Sequence, residues 1–86
     1  MIILFNKNFV KKQKKLSAKV VARLLGRLEL FESDFQNPTL NNHSLQGKLN
    51  GYWSINITGD YRAVFREIEH DLVEFVEIGT HSYLYA

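Results

Sequence analysis

Apolar residues recur along this chain in two rhythms, and the change from one to the other sets out its elements. Residues 1–5 form a short apolar run with two isoleucines, which predicts a buried strand. Asn6 stands where it can cap a helix, and residues 7–16 carry Phe9, Val10, Gln13 and Leu16 as one stripe with lysines around it. Ser17 is a second cap. Residues 18–35 hold the strongest helical period, with Val21, Leu24, Leu25, Leu28, Phe31 and Phe35 at intervals of three and four. Gly26 interrupts it, either to admit a close neighbour or as a tolerated substitution. Asn37-Pro38 ends the helix.

The rhythm then changes to two. Residues 39–50 are polar, with Leu40, Leu45 and Leu49 as anchors, and read as a loop crossing to a sheet. Residues 52–57 alternate, with Trp53, Ile55 and Ile57 on one side and Tyr52, Ser54 and Asn56 on the other. Thr58-Gly59-Asp60 supplies a turn. Residues 61–66 alternate again, with Tyr61, Ala63 and Phe65 opposite Arg62, Val64 and Arg66. His70-Asp71 makes another turn, residues 72–78 a last strand, and residues 82–86 a short tail with two tyrosines. The order β-α-α-β-β-β predicts an α+β fold, with a helical hairpin packed on one face of a small, mainly antiparallel sheet. The opposite face is left open, and Arg62 points to it.

Composition narrows this picture. Eighty-six residues make a single domain with one modest core. There is no cysteine, so disulfides and thiolate metal sites are excluded. No apolar run reaches the roughly 20 residues of a membrane span. The start lacks a signal-peptide pattern, and a cytoplasmic location is expected. The net charge of +2 hides an asymmetry: residues 1–27 hold eight Lys or Arg and no acid, and residues 28–86 hold three basic and nine acidic residues. Such a basic half can attract RNA or an acidic protein segment, and can equally be a solvated helix face.

The residues able to carry chemistry are His43, Lys48, Asp60, Arg62, His81 and Tyr85. His70 lies in a turn beside Asp71, and no function is expected of it. Two separated histidines with a strand arginine and a lysine suit cleavage of RNA by its own 2′-hydroxyl. That reaction needs a base, an acid and cations on the phosphate, and requires neither a metal nor a cofactor. Taken singly, each residue also has a bland reading. His43 and Lys48 can be solvated, His81 can cap a strand end, and Arg62 and Arg66 can pair with nearby glutamates.

Three segments in fixed order add to this: HSLQGKLNGYW from His43, GDYRAVF from Gly59, and IGTHSYLY from Ile78. Together they resemble the RelE/ParE superfamily of bacterial toxins from toxin–antitoxin pairs, and most nearly its YafQ-like branch. The resemblance spans nearly the whole chain. It implies a ribosome-dependent mRNA endonuclease neutralised by a cognate antitoxin, with ribosome and mRNA as further partners. It also implies His81, the histidine of Gly-Thr-His, as general acid or base, with His43 or Asp60 as the complementary proton carrier. Arg62 and Lys48 would stabilise the phosphate, and Tyr85 or Tyr61 would stack on a base. The chain departs from the branch at two places. Asn56 stands where a second histidine is usual, and asparagine can hydrogen-bond but not transfer a proton at neutral pH. Glu77 stands in the stretch that usually carries an arginine. The same superfamily contains ParE-like gyrase inhibitors that act without RNA chemistry, and a binding-only relic of the nuclease is the third alternative.

Overall fold

The computed structural model describes residues 1–85. Strand β1 (Ile2–Phe5) leads into helix α1 (Lys7–Gln13), and helix α2 (Ala18–Ser33) follows. Both caps form as expected. The Asn6 side chain accepts from the Phe9 amide at 2.8 Å, and Ser17 Oγ accepts from the Val20 amide at 3.3 Å. Both helices end earlier than the apolar pattern implies, at Gln13 rather than residue 16 and at Ser33 rather than residue 35. Leu24 and Phe31 form the buried seam of α2. Leu25 is 57% exposed and Phe35 45% exposed, so the buried stripe is narrower than the periodicity suggests. Nothing lies within 4 Å of a side chain built on Gly26, so it serves no close approach.

The polar segment after α2 is not a plain loop. Two short 3-10 turns, Pro38–Leu40 and Gly47–Leu49, flank a two-residue strand, β2 (His43–Ser44). Strands β3 (Trp53–Asn56), β4 (Tyr61–Glu69) and β5 (Leu72–Thr80) complete a sheet of order β1-β5-β4-β3-β2. β1 runs parallel to β5, and the remaining pairs are antiparallel. The fold is the expected α+β arrangement of helices on a mainly antiparallel sheet, with β2 as a fifth strand. Of the expected tail, residues 82–85 belong to a short helix, α3 (His81–Tyr85), and Ala86 lies outside the described residues.

The core lies between the helices and one face of the sheet. Ile55, Ala63 and Ile78 are aligned across β3, β4 and β5 and are all buried. Phe31 of α2 meets Phe65 and Phe75 edge-on, with ring centroids 4.9 and 5.4 Å away, and Phe9 of α1 lies 5.8 Å from Phe75. Each such contact contributes about 0.5–1.5 kcal/mol beyond its buried area. One irregularity matters for the opposite face. Val64 pairs with Glu77 but Phe65 pairs with Phe75, so Val76 is an extra residue on β5. This bulge locally re-aims the strand beside Glu77.

Candidate functional site

Residues directly opposed across a sheet share a face. One row on the face away from the core runs His43, Ser54, Val64 and Glu77, and a second runs Asn56, Arg62 and Gly79. The alternation read from the sequence thus puts Asn56 and Arg62 together, and β2 brings His43 to the same face. The chain then turns at Gly79 and lays α3 back over the sheet. A Cβ at Gly79 would stand 3.0 Å from Tyr83 Cδ2 and 3.6 Å from Leu84, which is why a glycine fits there. Thr80 Oγ1 accepts from the Tyr83 amide at 3.2 Å and caps the helix.

α3 carries His81 and Tyr85 to this face. The His81 amide donates to the Asp60 carbonyl at 2.9 Å, which fixes the start of α3 to the β3–β4 turn. The His81 and Tyr85 rings meet edge-on, with centroids 4.7 Å apart. The Tyr85 hydroxyl donates to Ser54 Oγ at 2.9 Å. Ser54 is wholly buried, which accounts for a polar residue in the middle of β3. His43 is exposed, and its Nδ1 lies 2.7 Å from the Asn41 carbonyl. A carbonyl only accepts, so Nδ1 carries a proton, and in the neutral ring Nε2 is the acceptor.

Arg62 is half-buried. Its Nη1 donates to the carbonyls of Thr58, Gly59 and Tyr61 at 3.0, 3.3 and 3.1 Å, so it ties the hairpin turn together. Arg66, in contrast, pairs with Glu74 at 2.9 Å. The Asn56 amide oxygen is buried without a hydrogen-bond partner. Asp60 is exposed beside the start of α3, and Lys48 is exposed on its 3-10 turn. Tyr61 packs against the core instead and stands on the face away from His43 and Asn56.

Glu77 does not pair with Arg62. Its carboxylate lies 2.6 Å from the Lys12 ammonium and accepts from Asn8 Nδ2 at 3.1 Å. The Lys12 ammonium also donates to the Tyr83 hydroxyl at 2.8 Å and sits 4.4 Å from the centre of that ring. Burial pulls the Lys12 pKa down. The hydrogen bonds and charges of Glu77 and Tyr83 together outweigh that effect and hold it above its ordinary value. Lys12, Glu77 and Tyr83 therefore clasp α1, β5 and α3 together. Sequence reasoning missed this clasp and missed Ser54. The one available signal was a serine among residues otherwise destined for the buried middle of the sheet.

The middle of this face is covered, Ser54 and Val64 being wholly buried, and the expectation of an open face holds only at its margin, where His43, Asp60 and His81 are exposed. Two depressions exist elsewhere. One of about 500 Å³ is lined by Phe5, Val10 and four lysines, and one of about 390 Å³ lies between α2 and the far ends of β4 and β5. Neither is lined by His43, Arg62 or His81. Among the described residues no group of three His, Cys, Asp or Glu could hold a metal ion. No helix among them is long and apolar enough to cross a membrane.

This fold, with a short helix laid over the open face of its sheet, is that of the small toxins of the YoeB/ParE and YafQ type. YafQ from E. coli strain BL21(DE3) superposes with a TM-score of 0.77 at 21% identity, over 98% of this chain and 97% of the other. The YoeB/ParE toxin from Agrobacterium tumefaciens gives 0.76 at 19% identity, over 94% and 99%. YafQ in the E. coli DinJ–YafQ complex gives 0.74 at 21% identity, over 98% and 97%. By sequence, neither a family profile nor a curated protein matches the chain. The likeness is thus one of fold, and function has to be argued from the residues on it.

Proposed function

We propose that this chain is the toxin of a toxin–antitoxin pair and acts as a ribosome-dependent mRNA endonuclease. The observation that carries this reading is that the strand register puts His43, Asn56 and Arg62 on one sheet face, and that α3, tied to Asp60 and Ser54, brings His81 from a distant segment to the same face. Candidate groups exposed at the surface, His43, Asp60 and His81, suit a polymer presented by another particle better than a small molecule, which needs a concave pocket.

In this reading His43 Nε2 takes the proton of the RNA 2′-hydroxyl. The 2′-oxygen attacks phosphorus, the bond from phosphorus to the 5′-oxygen breaks, and a 2′,3′-cyclic phosphate forms. His81 gives the leaving 5′-oxygen its proton. Asp60, at the start of α3, is the further candidate for proton transfer. Arg62 uses only Nη1 in its bonds to the turn, so its remaining N–H groups can meet the phosphate as charge builds there. Asn56 can donate to a phosphate oxygen and moves no proton. Lys48 adds a screened positive charge. Tyr85 is the one aromatic of the expected stacking pair on this face, Tyr61 lying on the other. Glu77 does not oppose the phosphate because Lys12 neutralises it.

The neighbouring DinJ–YafQ structures contain a toxin with its antitoxin, and the same kind of partner is proposed here. The groove of Phe5, Lys7, Val10, Lys11, Lys14 and Lys15 suits an acidic amphipathic segment, and β1 beside it is an edge strand with Ile2 and Leu4 exposed. A ribosomal target places the activity in the cytoplasm. Primer extension on a defined mRNA in a purified translation system tests the reading. The parent chain should give cuts within codons that require ribosomes, and His81→Ala should lose at least 100-fold in cleavage rate while keeping its fold, the scale of a lost general acid. Equal cleavage by the variant would remove His81 from the mechanism. Growth arrest with damaged DNA and intact mRNA would favour gyrase inhibition instead.

A further inference from the structure

We propose that Ser54 is a positioning residue of this site: through the Tyr85 hydroxyl it fixes the ring of His81. The inference rests on the nuclease reading for its kinetic consequence, but its structural content stands apart from it. The backbone of His81 is held by Asp60, but that bond leaves the imidazole free to turn about its side-chain torsions. The ring's one aromatic neighbour is Tyr85, edge-on at 4.7 Å. Tyr85 in turn is anchored at its far end by Ser54 Oγ at 2.9 Å. Ser54 is an immobile anchor, wholly buried in β3 with Val64 beside it in β4 and His43 opposite it in β2. The same residue therefore lies beside His43 across the sheet and, through one hydrogen bond and one ring contact, sets His81. A five-residue helix has no intrinsic stability in water, so the orientation of its side chains depends on such tertiary ties. Ser54 touches no substrate in this account and acts through Tyr85.

The test uses the full chain with Ser54→Ala, Tyr85→Phe, the double variant and Ser54→Thr. It has two readouts: the ring-proton resonances of His81 by NMR, and single-turnover cleavage on programmed ribosomes. Ser54→Ala and Tyr85→Phe should each move the His81 resonances. Each should slow cleavage about 10- to 100-fold, as for a catalytic group misplaced by about 1 Å, with half-saturating ribosome concentration unchanged. The double variant should be no worse than either single one, and Ser54→Thr should restore both readouts. Unmoved His81 resonances in folded Ser54→Ala and Tyr85→Phe would overturn the proposal, as would additive rate losses. Tyr85→Phe removes one oxygen and keeps the ring of a half-buried residue, so it carries the test if Ser54→Ala does not fold. If the parent cleaves no RNA, the nuclease reading falls alone and the NMR result still decides the role of Ser54.

Discussion

Arg62 shows what a single residue does that its position in the pattern does not reveal. The alternation of β4 places it on the open face, and it is there. Its expected partner was a glutamate or a phosphate, yet its Nη1 gathers three carbonyls of the adjoining turn. Backbone carbonyls are invisible in a sequence, whereas the Arg66–Glu74 pair is of the kind a charge pattern suggests. Arg62 therefore has a structural duty besides any part in catalysis. Arg62→Ala should lower unfolding free energy by about 1 kcal/mol, the scale of a charge-assisted bond at a partly solvated site, measured by urea titration. A variant with unchanged stability would mean the turn does not need it. His43 was legible as a candidate, but its tautomer was not, because that depends on the Asn41 carbonyl reached through a left-handed backbone at Asn41.

At the scale of elements, α3 is where sequence and structure diverge most. Its five residues have too little helical period to stand out, and the helix exists because the fold holds it at Gly79, Thr80, Tyr83 and Tyr85. The clasp of Lys12 and Glu77 stands beside the Val76 bulge, which no alternation pattern encodes. The longer helices and the β3–β4 hairpin, by contrast, were plain from the spacing of Leu24 and Phe31 and of Ile55, Ala63 and Phe65. Lys12→Met should cost about 1 kcal/mol at neutral pH, near the upper end for a partly exposed ion pair. The sign of its pH dependence follows from the raised Lys12 pKa. Stabilisation by a raised lysine is fully present below the unfolded value of about 10.4 and fades as pH rises through the higher folded value. The difference in melting temperature between parent and Lys12→Met should thus be constant from pH 7 to about 10 and shrink above it. A difference that grows with pH would contradict the clasp.

For the whole molecule, the charge asymmetry acquires a geometry. The acids Glu67, Glu69 and Asp71 lie at the β4–β5 turn, and His81, Asp60 and Arg62 lie at the opposite end of β4. Nine residues of strand separate the two ends of β4 by roughly 25 Å, about three Debye lengths at physiological salt, so Glu69 and Asp71 at the far tip are screened from the site. Of the acids nearer the site, Glu77 is neutralised by Lys12, and Asp60 stands beside the start of α3. Lys7 and Lys11 of α1, with Lys14 and Lys15 after it, line a separate basic surface, which in the proposed function would meet an acidic partner or ribosomal RNA by salt-sensitive contacts. In the proposed function this face cleaves RNA through the 2′-hydroxyl. The most direct test of that is cleavage of a ribosome-bound message carrying one 2′-deoxynucleotide immediately 5′ to the cut bond, beside the all-ribose message. The account predicts that the all-ribose message is cut to a 2′,3′-cyclic phosphate and a 5′-hydroxyl and that the deoxy message stays whole at that bond. Equal cutting of both messages, or no cutting of either by the folded parent chain, would contradict it.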